Sequence, residues 1–162
     1  MKLIPLTQGM VATIDDCDYK RAAAFRWQAV LLHGKYYAAR SVTVAFKKRA
    51  TVFLHQYILG KPPEGQEVDH ISGDGLDNRR CNLRLCSHQQ NMANRKKQRK
   101  ATSSAWKGVH RHTQTGRWVA RIGVDGRRIS LGCFGEEIEA ARAYDWAAKQ
   151  IWGEYAATNL GR

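Results

Sequence analysis

No stretch of the 162 residues approaches the roughly 20 consecutive apolar residues of a membrane-spanning helix. The start, Met1-Lys2-Leu3-Ile4-Pro5, turns polar too soon for a secretory signal. Cysteine is scarce: Cys17, Cys81, Cys86 and Cys133 are scattered without paired spacing. This argues against a disulfide framework and for a reducing, intracellular setting. Cys81 and Cys86 have no second pair to close a zinc site. Acidic residues are the most telling shortage. Only 14 Asp and Glu stand against 27 Lys and Arg, a formal charge of +13. Such a chain repels itself unless an anionic partner uses the charge. No segment reads as a basic helix with a large apolar face, so nucleic acid is favoured over a membrane surface. The plainer alternative is charge that only confers solubility. The hydrophobic share, 43%, suffices for a core, and the length allows one domain or two small ones.

The charge is unevenly placed. Residues 79–100 contain Arg79, Arg80, Arg84, Arg95, Lys96, Lys97, Arg99 and Lys100 and no acid. Residues 107–130 contain Lys107, Arg111, Arg117, Arg121, Arg127 and Arg128 against Asp125 alone. A solvated surface mixes the signs more evenly.

Three segments follow from the patterning. Residues 1–53 are a β-rich extension, with strands expected over 9–14 and 36–44 and a short helix over 18–27. A helix over 51–59 leads into the second segment and ends at Gly60 and Pro62-Pro63. That segment, 54–100, reads as strand (67–71), polar loop, strand (82–86) and helix. Ser87 and Gln90 form a capping box, and Asn91 and Asn94 lie on the helix. Residues 95–104, without glycine or proline, suit either an arm along phosphates or a solvated tether.

The third segment, 101–162, has hairpin turns at Thr115-Gly116 and Asp125-Gly126. They separate strands over 107–112, 117–124 and 127–133. Along the middle strand Trp118, Ala120, Ile122 and Val124 share one face, while Arg117, Val119, Arg121 and Gly123 share the other. An alanine-rich helix over 136–152 should cover the apolar face and leave the arginine-bearing face open. Trp118, Tyr144, Trp146 and Trp152 are expected in helix-sheet packing, and Trp27 in the core of the first segment. The fold class is therefore α+β.

Asp69 and His70 end one strand; Asn82 opens the next, and Asn91 lies on the helix beyond. Phosphodiester hydrolysis needs an activated water and something to absorb charge on the phosphate and leaving oxygen. One carboxylate and one amide oxygen can hold a divalent ion for the second task. An imidazole can take the water's proton for the first, if an amide oxygen fixes its tautomer. Each residue also has a plainer reading: a surface Asp-His turn, or solvated helical asparagines. His55, on an apolar helix, reads as a packed core residue, and His88 as exposed near the helix start.

Val68-Asp69-His70-Ile71, Asn78, Asn82-Leu83-Arg84 and Asn91 with Asn94 resemble the HNH family of nucleases. In particular they look like phage-type homing endonucleases with Asn in the last motif position. The lead-in from Leu54-His55-Gln56 to Pro62-Pro63 is also similar. The resemblance implies a ββα-metal fold. Asp69 and Asn91 would bind Mg²⁺ or Mn²⁺, and His70 would be the general base, oriented by Asn82.

Trp106-Lys107-Gly108-Val109-His110, Gly116-Arg117-Trp118, Leu131-Gly132-Cys133-Phe134, Ala140-Ala141-Arg142-Ala143-Tyr144-Asp145 and Asn159 resemble the plant ethylene-response-factor (APETALA-type) DNA-binding domain. That family lays its sheet in the major groove. The implied DNA-facing residues are His110, His112, Arg117, Arg121, Arg128 and Ser130. Histidines replace the family's usual arginines near 110 and 112. Arg121 stands where Glu is common, and Ser130 where Trp is common, so the target sequence does not carry over.

The combined expectation is an endonuclease with double-stranded DNA as its partner, no small-molecule cofactor, and no membrane. Its rival is a DNA-binding regulator with an inactive nuclease module. RNA is disfavoured because the open sheet face has few stacking aromatics.

Overall fold

The computed structural model describes residues 1–97 and 103–161. The architecture is α+β, in two compact units, Met1–Ser87 and a second from His88 onward. Part of the expected basic arm, including Arg99 and Lys100, lies outside the described residues, as does the boundary expected at 100/101.

In the first unit, β1 (Lys2–Pro5) pairs antiparallel with β2 (Val11–Ile14), placing Ile4, Ala12 and Ile14 in the core by period-two alternation. Helix α1 (Asp16–Ala22) follows. It is shorter than the helix expected over 18–27, and Trp27 instead folds back to donate its indole N–H to the Ala22 carbonyl at 2.9 Å. Strands β3 (Gln28–Leu32), β4 (Lys35–Ala45) and β5 (Lys48–Phe53) form an antiparallel sheet in that order. The helix expected over 51–59 is α2 (Leu54–Leu59) alone. Thr51 and Val52, both β-branched, pair with β4 and complete β5. Strands β6 (Gln66–His70) and β7 (Leu83–Ser87) close the unit as an antiparallel pair. Ile4, Ile14, Trp27, Leu54, Ile58 and Leu83 share one core, so the β-rich start and the β6–β7 pair are built around the same apolar cluster.

A buried charge cluster fastens α1 to the loop before β7. Asp18 is buried and accepts from Arg21 at 2.6 Å and from Arg80 at 2.8 Å; both guanidiniums also reach the Ile58 carbonyl. Arg80 first, and then Arg21, hold the Asp18 carboxyl below its ordinary value against the opposing effect of burial. Asp18→Asn should destabilise the protein by about 2–3 kcal/mol at pH 7. This is under the usual cost of breaking a buried pair, because both arginines are half exposed and can turn to water. A depressed carboxylate contributes stability above its unfolded pKa of about 3.9 and loses it as pH falls through the folded value. Thermal melts of wild type and variant should therefore keep a constant gap down to about pH 4 and draw together only below about pH 3.9. A gap unchanged there as well would mean the charge is not the stabilising element.

In the second unit, α3 (His88–Asn94) starts directly after β7, and its end is held by Lys107, whose ammonium donates to the carbonyls of Ala93 and Arg95. Strands β8 (Val109–Arg111), β9 (Trp118–Val124) and β10 (Arg127–Phe134) form a sheet in the order β10-β9-β8, covered by α4 (Glu137–Trp152). Glu136 caps α4 in a reciprocal box with Glu139. Buried alanines at 140, 141, 147 and 148 let α4 lie close on Val109, Ala120 and Ile122. Gly108 marks the tightest approach. It has φ of +75°, and a Cβ there would stand 2.6 Å from the Arg121 carbonyl and overlap the Tyr144 ring.

Two expectations need correction, and the third AP2-like strand departs from simple alternation. Trp146 is 69% exposed, because it falls on the solvent side of α4. Val119 is buried to 2%, so the arginine-bearing face is not open along its whole length. Ile129 is 46% exposed, and the simple alternation of β10 breaks where the register shifts between Ser130 and Gly132.

Candidate nuclease centre and nucleic-acid interface

The β6–β7 register sets Asp69 opposite Arg84 and His70 opposite Leu83. Asp69 is buried and Arg84 partly so, and the guanidinium donates to Asp69 Oδ2 from Nε at 3.1 Å and from a terminal nitrogen at 3.0 Å. His70, the last residue of β6, is also buried. Its Nε2 lies 3.3 Å from Asn78 Oδ1. The Asn78 amide is fully buried and oriented by its own Nδ2, which donates to the Gly75 carbonyl at 3.4 Å. An amide oxygen only accepts, so Nε2 carries the proton, and the lone pair of the neutral ring falls on Nδ1. Burial lowers the His70 pKa, opposed by the Asn78 bond and by Asp69, Asp74 and Asp77. The ring is therefore neutral near pH 7.

The amide of Asn82 is used differently. Its Oδ1 accepts from the Ser72 N–H at 2.8 Å, and its Nδ2 donates to the Asp77 carbonyl at 2.7 Å. With the Ile71 N–H on the Asn82 carbonyl, it fastens both ends of the loop that follows His70. The N-terminal strand braces the same loop: Asn78 N–H donates to Thr13 O, and Thr13 N–H to Leu76 O, both at 2.8 Å. Gly75 allows the loop to pass Tyr37, whose ring a Cβ would approach to 2.6 Å.

Aromatic rings back the imidazole. His55 meets His70 edge-on at 5.0 Å between centroids, and Tyr37 is at 5.9 Å. His55 stacks on Phe53 at 5.3 Å, and its Nδ1 is buried without a hydrogen-bond partner. Burial, and then His70, push the His55 imidazole down to about 3, so it remains an uncharged wall. Asn91 lies midway along α3, half-buried, and His88 is exposed at the start of that helix. Burial pushes the Cys86 thiol up to about 11, so it is neither a nucleophile nor a ready zinc ligand.

Among the described residues no three His, Cys, Asp or Glu side chains gather as a metal cluster. Taken as donor types alone, the Asp69 carboxylate and the Asn91 amide nevertheless offer hard-oxygen chemistry. It suits an ion that takes its remaining ligands from phosphate and water, so the residues fit Mg²⁺ or Mn²⁺ and not a structural zinc. Asn78, Gly75 and Tyr37 were given no role in the sequence reading. Asn78 carried a signal, as part of the quoted motif, but its partner depends on loop geometry; Tyr37 and Gly75 carried none.

In the second unit, the register places His110 beside Val119, Arg121 beside Ser130, and Arg128 beside Gly123. The His112 N–H donates to the Arg117 carbonyl at 2.8 Å and extends that ladder. By parity His110, His112, Arg117, Arg121, Arg128 and Ser130 all lie on the sheet face away from α4. Arg121, Arg128 and Ser130 are exposed. Arg117 also donates to the Cys133 carbonyl at 3.3 Å, and His112 Nδ1 bonds Thr115. Burial, and then Arg121, His112, Arg128 and Lys97, lower the His110 pKa. This face is a cationic field of the kind that attracts anions.

Comparison with known proteins agrees with both geometries. A profile described as HNH endonuclease matches residues 52–93, and one described as AP2 domain matches residues 104–154. An HNH endonuclease of Acanthamoeba polyphaga mimivirus is 32% identical over 139 residues, covering 83% of this chain and 71% of that protein. The AP2-like ethylene-responsive transcription factor ANT of Arabidopsis thaliana is 52% identical over 60 residues, and CRL5 of Oryza sativa subsp. japonica 50%. Those 60 residues are 36% of this chain, but only 11% and 9% of the two plant proteins. With one relative similar over most of both lengths, and both profiles falling on the segments just described, the chain belongs to the HNH endonuclease family and carries an AP2 DNA-binding domain behind its HNH endonuclease domain.

Proposed function

We propose that the protein is a metal-dependent DNA endonuclease in three parts: a β-rich extension (1–53), a nuclease module (54–100) and a duplex-binding AP2 module (101–162). The observation that carries this reading is the buried His70 beside Asp69, with its Nε2 3.3 Å from the amide oxygen of Asn78. His70 Nδ1 is the atom that takes a proton from the attacking water. Asn78 holds the tautomer directly, while Asn82 positions the imidazole through the loop that follows it. Asp69 and Asn91 would hold Mg²⁺ or Mn²⁺, which supplies charge stabilisation for the phosphate and the leaving oxygen when bound. The tyrosine and histidine rings behind His70 keep bulk water from its back face.

The AP2 face would supply affinity through His110, His112, Arg117, Arg121, Arg128 and Ser130. The test is nicking of supercoiled plasmid with and without Mg²⁺, beside a gel shift on linear duplex. Arg121→Ala or Arg128→Ala in the full chain should weaken duplex binding by about 1–3 kcal/mol if the side chain reads a base edge. Binding should fall steeply with salt as condensed counterions are released. Wild type that binds duplex but nicks nothing with either metal would shift the reading to a non-catalytic DNA-binding regulator.

A further inference from the structure

Between Asp18 and Glu64 the sequence has no acidic residue and nine Lys or Arg. Three of them, Lys47, Lys48 and Arg49, gather at the tip of the β4–β5 hairpin. The base of this hairpin is packed: Ala38 and Ala39 are buried. Its outer part, residues 43–49, is exposed on both faces, so no packing calls for apolar side chains there. Val44 and Phe46 are there nonetheless, 56% and 90% exposed. The register shift between Thr43 and Ala45 leaves Val44 unpaired, and such bulges re-aim neighbouring side chains. The turn itself is Phe46-Lys47, with Lys47 at φ of 56°. Asn-Gly would satisfy that backbone at less cost. Lys47 holds its ammonium 5.3 Å from the Phe46 ring centre. None of the three cations makes an ion pair among the described residues.

We propose that this tip is a second contact with duplex DNA, separate from the AP2 sheet. Lys47, Lys48 and Arg49 take backbone phosphates, and Phe46 enters a base step as an apolar wedge. The chemistry is that of proteins that pair cationic side chains with an intercalating apolar residue. The proposal rests on the endonuclease reading for its ligand. A two-stranded tip with no acidic side chain, three cations outside any ion pair among the described residues and one exposed aromatic ring matches the phosphate-and-base composition of DNA on both counts.

The test uses the full chain and a mixed-sequence 30-base-pair duplex without Mg²⁺, with binding read by fluorescence anisotropy over a salt series. The triple variant Lys47→Ala/Lys48→Ala/Arg49→Ala should flatten the log–log salt slope by about 2–3, at roughly 0.9 per lost phosphate contact. Phe46→Ala should weaken binding roughly tenfold with the slope unchanged, since base stacking releases no counterions. Melting temperatures should not move, because the tip packs on nothing. A wild-type slope in the triple variant overturns the proposal. So does a variant that loses only its binding to phosphatidylserine vesicles, which would make the tip a membrane contact. Wild-type affinity for Phe46→Ala removes the wedge. The endonuclease reading fails separately: a wild type that never nicks plasmid, while the triple variant still loses slope, sinks the enzyme and leaves the hairpin contact standing.

Discussion

His70→Ala should nick supercoiled plasmid about 10²–10⁴-fold more slowly than wild type, the usual contribution of a positioned general base, while its duplex affinity stays nearly unchanged. The asymmetry follows from where each energy resides. Binding is the sum of many cationic contacts, and one neutral, buried imidazole adds almost nothing to it. Chemistry needs one lone pair in one place, and the Asn78 contact directs it to Nδ1. Asn78→Ala should therefore lose part of the rate, about 10- to 100-fold, because the imidazole remains but its tautomer and angle are no longer fixed. Asn82→Ala should act in the same direction through the loop. Melting curves separate this from unfolding, since Asn78 also has a main-chain bond to Thr13 that survives the substitution. Equal nicking by wild type and His70→Ala would remove His70 as the base. Duplex binding without nicking by either protein would favour the regulator.

How much of this was readable beforehand varies by element. The AP2 strands were legible because their turns are local: Thr115-Gly116 and Asp125-Gly126 announce themselves, and Asp125 and Gly126 do take positive φ, 51° and 72°. The β6 and β7 strands were legible within a residue or two from short alternating patterns. Strands β1, β3 and β5 were not, because each shows itself only when its neighbouring strand is there to pair with it; Thr51 and Val52 fit a helix until β4 is in place. Trp146 was misplaced because a helix face is decided by a phase that one aromatic residue does not reveal. At the nuclease site, residue types pointed to acid, base and amide, but not to which amide does what. Asn78 and Asn82 are chemically identical, and only the loop's path sends one to the imidazole and the other to Ser72 and Asp77. The hairpin tip is not legible because its meaning lies in exposure, and Phe46, just past the strand expected over 36–44, proves to be 90% exposed.

Removing the metal should stop cleavage and leave the fold intact. Chelation of wild type should abolish plasmid nicking, Mg²⁺ or Mn²⁺ should restore it, and the melting temperature should not change. The protein's cores are apolar clusters, and among the described residues no His/Cys/acid cluster ties the chain together through an ion. The residue to vary is Asp69, and the choice of substitution matters. Asp69→Ala would leave the partly buried Arg84 opposite it without its carboxylate, a loss that costs up to about 3–5 kcal/mol and confuses folding with chemistry. Asp69→Asn keeps the shape and an oxygen for the Arg84 guanidinium but removes the charge that attracts a divalent ion. It should slow nicking by at least about 10²-fold, the equivalent of several kcal/mol of lost charge stabilisation. Raising the metal concentration should recover part of that rate, because the defect is one of affinity. The same excess should do nothing for His70→Ala, whose defect is the missing proton acceptor. Should chelation unfold the protein, or zinc alone restore cutting, the hard-oxygen site at Asp69 and Asn91 is the wrong assignment. Identical metal titrations for Asp69→Asn and wild type would place the ion elsewhere.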